Sequence, residues 1–182
     1  MTPRDSRGDD DIMDTTDIES PQGVAVWRRM PPDLRLQAAG AFFEAEGLAA
    51  EKALATGLIA RQINFRPKSV RALPAARRAH HLAALRGMTD ALAGQALVAL
   101  HLAHRRPLMS RFLDLLGLAH EEGLIEAEIA APPAGALAEA VGTLRSEFPA
   151  GEVELYLETL LMQDAETWGA VASELDREVE LG

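Results

Sequence analysis

Thr89-Asp90-Ala91-Leu92-Ala93-Gly94-Gln95-Ala96-Leu97-Val98-Ala99-Leu100-His101-Leu102-Ala103-His104 is the stretch that decides the fold. Thr89 has the chemistry of an N-cap, a side-chain oxygen for the free N–H groups of a first turn, and Asp90 follows where the helix dipole favours an anion. The apolar residues Leu92, Ala96, Leu97, Ala99, Leu100 and Ala103 run nearly all the way round the helix. A helix with so little polar face belongs at the centre of a helical bundle. Arg105-Arg106 follow at the C-terminal end, where the dipole favours cations.

Outward from this segment the chain keeps reading as helix. Its apolar content comes mainly as Ala and Leu, the residues that lose least rotamer freedom in a helix. Helices are expected from Pro31-Pro32 to Gly47, over about 48–63, 67–73 and 75–85, then from Pro107 to about Leu116. Three more are expected near 136–148, 151–163 and 165–180. The last shows Trp168, Val171, Ala172, Leu175 and Val179 at helical spacing, so Trp168 reads as core. His120 to Glu126 is open between a turn and a small strand pair. The expectation is an all-α, compact multi-helix bundle of about eight helices.

Residues 1–22 (MTPRDSRGDDDIMDTTDIESPQ) have too little apolar surface to offset the entropy of ordering, and read as a disordered acidic tail. A helical core domain over 23–130, a Pro/Ala linker at 131–135 and acidic helices over 136–182 follow. The last group either packs on the core or forms a small appended unit. At 182 residues the chain fits one domain of ordinary size, large enough to bury roughly two thirds of its unfolded surface.

Charge is segregated along the chain. Residues 61–111 hold ten Arg/Lys against Asp90 alone, a net of +9, whereas 112–182 hold Arg145 and Arg177 against sixteen acids, a net of −14. The whole chain carries −10. The basic block faces either a partner or the molecule's own acidic helices; at physiological salt charges beyond about 8 Å are largely screened, so only touching faces gain from complementarity.

Several function classes drop out. There is no cysteine, which excludes disulfides and thiolate metal sites. The N-terminus has no hydrophobic run and does not read as a secretory signal. The longest mostly apolar stretch, Ala91–Ala103, is shorter than the roughly 20 residues of a membrane span. A cytoplasmic protein without membrane association is expected. No Gly-x-Ser-x-Gly elbow, phosphate-binding loop or dinucleotide fingerprint is present, so no catalytic residue and no cofactor are assigned.

The sharpest local pattern is Ile59-Ala60-Arg61-Gln62-Ile63-Asn64-Phe65-Arg66-Pro67-Lys68-Ser69-Val70-Arg71-Ala72-Leu73. Ala60 is small enough for two helices to cross closely, and Asn64 tolerates φ > 0 at a turn. Ile63, Phe65, Val70 and Leu73 are placed to pack the pair. The stretch resembles the helix-turn-helix of DNA-binding regulators. The resemblance implies that Arg66, Lys68, Ser69 and Arg71 face phosphates and base edges. Pro74 departs from it, because it cuts the second helix at about two turns. The alternative is a tight helix corner with solvated bases.

All five histidines lie between residues 80 and 120. His101 and His104 are neighbours on one helix face, and with His120 they form the candidate metal set, which requires three or more side chains to converge. Taken together, the leading expectation is a non-enzymatic interaction or regulatory protein that engages a protein partner or self-associates. A DNA-binding regulator is the alternative.

Overall fold

The computed structural model describes residues 22–125 and 127–181, with their side chains except at 177–181. The acidic tail expected over residues 1–22 lies, Gln22 apart, outside the described residues. Among the described residues eleven helices follow one another: α1 (Gly23–Arg29), α2 (Pro32–Glu44), α3 (Ala49–Gln62), α4 (Pro67–Arg71), α5 (Ala75–Ala83), α6 (Asp90–His104), α7 (Arg106–Leu115), α8 (Ala134–Glu147), α9 (Ala150–Gln163), α10 (Ala165–Trp168) and α11 (Val171–Leu181).

The all-α expectation holds, with more helices than the eight or so expected. The excess comes from short pieces. α1 precedes the first expected helix, and the segment 165–180 divides at Gly169-Ala170 into α10 and α11. Asp164 starts the first piece by accepting from the N–H groups of Glu166 (3.1 Å) and Thr167 (3.0 Å). Prolines start many of the others: Pro32, Pro67 and Pro107 sit in first turns, while Pro31, Pro74, Pro133 and Pro149 stand at N-caps. A proline there has no N–H to leave unsatisfied and its φ is already helical. Between α7 and α8 the chain turns from Glu121 to Leu124, closed by one antiparallel bridge between those two residues; residue 126 of the ambiguous segment lies outside the described residues.

α6 occupies the centre. Thr89 caps it, accepting from Leu92 N at 3.3 Å, and between Leu92 and Leu100 it also buries Ala93, Gly94, Ala96, Leu97 and Ala99. It packs against α1, α2, α7 and α9. Its buried Leu and Ala residues belong to the first of two apolar clusters, and the partly buried Leu102 packs against the second. The first joins Trp27, Phe42, Ile59, Val70, Leu82 and Leu97 from α1 to α6. The second joins Leu108 and Phe112 of α7, Leu137 and Leu144 of α8, Tyr156 and Leu157 of α9, and Trp168 and Val171. α9 supplies Leu155 to the first cluster and Val153, Tyr156 and Leu157 to the second. Trp168 is core, its ring centroid 5.7 Å from that of Phe112 and tilted 43° to it.

Candidate functional site

The basic block divides into two populations. Its C-terminal members meet carboxylates of the acidic part. Arg105 Nε lies 3.8 Å from Glu152 Oε2, and Arg106 Nη1 donates to Glu122 Oε2 at 3.1 Å. Arg111 makes a two-pronged bond to Glu147, at 2.8 and 2.7 Å. That fork raises the Arg111 pKa and lowers that of Glu147. The N-terminal members behave differently. Residues 61–86 hold seven cations and no carboxylate. Arg78 lies over the Phe43 ring, 5.0 Å from its centroid. The other six, Arg61, Arg66, Lys68, Arg71, Arg77 and Arg86, are exposed, and none forms an ion pair among the described residues.

Local sequence builds the corner that carries them. α3 ends in a left-handed turn: Asn64 holds φ +54°, Phe65 N donates to Ala60 O at 2.8 Å, and Asn64 N to Arg61 O at 3.4 Å. This is the Schellman pattern of helix termination, with asparagine in the place glycine usually takes. Arg66 is extended, as a residue before proline must be, and Pro67 opens α4. Val70 is the one fully buried side chain of α4. Gln62 fastens the end of α3 to the end of α5: its Nε2 donates to Ala84 O at 3.1 Å, and its Oε1 accepts from Arg86 N at 2.8 Å.

Arg66, Lys68, Ser69 and Arg71 all lie on this exposed corner, beside Phe65, which is 53% exposed. Phe65 was expected to pack the helix pair together and instead points outward. α4 is also shorter than the expected 67–73 helix. Its five residues give about 7.5 Å of axis. Ala72 caps it and Pro74 forces a new start, so the second helix of the corner is barely more than one turn.

The three histidines are not brought together. His101 turns into the α6–α9 seam, His104 is exposed, and His120 is held in the 120–124 turn, with Nε2 3.1 Å from Asp114 Oδ1 and Nδ1 accepting from Gly123 N at 3.1 Å. Helical spacing put His101 and His104 near one another, but the packing of α6 sends one inward and the other to solvent. Among the described residues no group of three or more His, Asp or Glu is placed to hold a metal ion.

His101 has a different place in the molecule. It is 2% exposed and its Nε2 lies 3.1 Å from Thr159 Oγ1. The Thr159 hydroxyl gives its own proton to Leu155 O at 2.7 Å, so it accepts from His101 Nε2–H. Nδ1 is then a bare buried acceptor without a partner. Burial, and then the charge of Arg105, lower the His101 pKa to about 3, which keeps the ring neutral. One turn on, Arg105 is itself 8% exposed, with Nη1 unpartnered.

An apolar groove runs along the outside of α2 and α5, next to the basic corner. Leu36 and Gly40 of α2 face Ala76 and Ala79 of α5, with Glu44, Arg77 and His80 as polar lining, in a volume of about 560 Å³. A second depression of about 320 Å³ shares Leu36 and His80 and extends past Asp33 and Arg35 to Ala84. Leu36 is 41% exposed. Neither this groove nor the His101–Thr159 bond shows in the sequence. Alanines along α5 read only as helix formers, and nothing in the pattern couples residue 101 to residue 159. No family model, curated protein or solved structure matches this chain. No helix among the described residues is long and apolar enough to cross a membrane.

Proposed function

We propose that the protein is a non-enzymatic interaction protein whose α3–α5 face engages an acidic partner protein. The observation that carries this is the set of six exposed cations between Arg61 and Arg86 with no carboxylate beside them in the sequence and no ion pair. Internal pairing meets Arg105, Arg106 and Arg111 and stops there. A surface that keeps its like charges together costs self-repulsion, and in return it steers an oppositely charged partner and rejects a like-charged one. Phe65 adds an exposed aromatic anchor of the kind enriched in interface cores. The proposed setting is cytoplasmic.

Affinity capture from cells of the source organism tests this, with the full chain and its Arg66→Glu/Lys68→Glu/Arg71→Glu variant as baits. A protein held by the first and lost by the second supports the proposal. A partner retained equally by both contradicts it. Sedimentation of the purified chain separates self-association from a foreign partner.

The second reading is a DNA-binding regulator, favoured by the exposure of Arg66, Lys68, Ser69 and Arg71 on one corner. Phosphate contacts by the three cations Arg66, Lys68 and Arg71 would give a log–log salt slope of about −2.7 on duplex DNA, from about −0.9 per cation. A slope near zero, or no binding, removes it. The length of α4 weighs against it, because a recognition helix lies along the major groove and α4 offers little more than a turn.

A further inference from the structure

We infer that the acidic partner of the α3–α5 face is a second copy of this chain, which receives Phe65 and the cations beside it in an apolar, carboxylate-lined depression between the 125–131 segment and α10. The inference rests on the preceding proposal that this face takes an acidic protein, and it names that protein. The chain itself carries −10.

The inserting surface is the corner between α3 and α4. Asn64, at φ +54°, turns the chain, and Phe65 stands 53% exposed. Arg66, Lys68 and Arg71 follow it, all exposed and without an ion pair among the described residues. The corner is held firmly, because Phe65 N donates to Ala60 O at 2.8 Å and Val70 is fully buried. An aromatic side chain on a fixed turn loses less freedom on docking than one on a loose loop.

The receiving surface is a depression of about 450 Å³. Ile125, Ile129 and Trp168 line it, together with the carboxylates of Glu128, Asp164 and Glu166. It contains no Lys, Arg or His, unlike the groove of α2 and α5, where Arg35 and Arg77 stand against Asp33 and Glu44. The three carboxylates are exposed, and none forms an ion pair among the described residues. A benzene ring is held in a cavity of about 150 Å³. The depression therefore has room for the Phe65 ring and for the stems of the flanking cations.

The two surfaces match in kind. Each combines apolar contact with three like charges, and the signs are opposite. Charges brought within a Debye length of one another escape most of the screening that weakens them across open solvent. Phe65 does not line the depression, and the two belong to different halves of the core. Ile63 and Val70 anchor the corner on the first apolar cluster, whereas Ile125, Ile129 and Trp168 belong to the second. The contact accordingly joins two molecules. Each copy contributes a different surface, so the interface is heterologous, and association continues into open chains or closes as a ring.

Sedimentation velocity of the full chain from micromolar to submillimolar concentration tests this. The expected result is a sedimentation coefficient that rises with concentration. Two variants each remove one surface: Phe65→Ser/Arg66→Ser the corner, and Glu128→Lys/Glu166→Lys the depression. Asp164 is left in place because it caps α10. Each variant alone is expected to bind itself at least about tenfold more weakly. An equimolar mixture is expected to form a one-to-one dimer that grows no further, since only one intact corner and one intact depression remain per pair. Circular dichroism confirms that both variants fold, and Glu128→Gln/Glu166→Gln replaces the lysine variant if that one does not. Association that either variant leaves unchanged, or a mixture that forms no dimer, overturns the inference. A full chain that stays monomeric also overturns it, and leaves the basic face to a foreign acidic protein, which the capture experiment finds or fails to find.

Discussion

His101 Nε2 and Thr159 Oγ1 meet at 3.1 Å across 58 residues of sequence, and the bond pins α6 to α9 where the two apolar clusters join. Nδ1 of the same ring is buried without a hydrogen-bond partner, so the ring's hold on Thr159 is through Nε2. Thr159→Val removes it and leaves a second buried nitrogen unpaired, at a cost of about 1–3 kcal/mol. His101→Leu/Thr159→Val removes both polar partners and is expected to recover much of that loss. Urea denaturation of the two single variants and the double variant measures the coupling; simple additivity would show that the bond is energetically idle.

The same histidine makes folding pH-dependent. Its folded pKa is about 3 and the ordinary value is 6.5, so between these values the unfolded chain binds a proton that the folded one does not. Stability from this group is therefore fully present above pH 6.5 and falls as the pH drops from 6.5 towards 3, by about 2 kcal/mol at pH 5. Comparing urea midpoints of the native chain and His101→Leu at pH 7.5 and pH 5 isolates it from the carboxylates. The native chain is expected to lose more stability than the variant, and parallel losses would contradict the assignment.

Glycine substitutions are expected to split by the space around each Cβ. At Gly123, φ is +86° and a Cβ would sit 2.6 Å from Met109 Cβ, so Gly123→Ala is both strained and crowded. Gly23→Ala pushes against Asp90 O and loosens the anchor of α1 on α6. Each is expected to cost about 1–3 kcal/mol. Gly40 lies inside α2 with nothing within 4 Å of a Cβ, so Gly40→Ala should stabilise by about 1 kcal/mol. Thermal melts of the three variants check the order.

The basic corner should be dispensable for folding. Arg66, Lys68 and Arg71 are exposed and α4 is held by Val70, so reversing the three charges is expected to change stability by no more than about 0.5 kcal/mol per site. A variant that fails to fold in a circular dichroism melt would mean that these cations have a structural partner.

Local chemistry made most helices legible. Thr89 announced α6, the prolines at 32, 67, 74 and 107 marked starts, and Asn64 marked the turn after α3. Each of these signals acts within a few residues, which is why a sequence displays it. α1 and the break at Gly169-Ala170 carried no comparably sharp signal. The split within the basic block was hidden for a different reason. Whether Arg111 finds Glu147 and Arg77 finds no carboxylate depends on which helices become neighbours, a matter of tertiary packing that charge counting along the chain does not contain. His101 was equally opaque: its place next to His104 suggested ligation, whereas its function in the fold depends on Thr159.

The central claim, that the face from Arg61 to Arg86 is where a partner binds, is tested most directly by amide hydrogen exchange of the full chain alone and in complex with the captured protein. Slowed exchange in α4 and α5, with α8 unchanged, is the predicted footprint. Protection confined to α8 or α11, with residues 61–86 exchanging as in the free chain, would contradict the account.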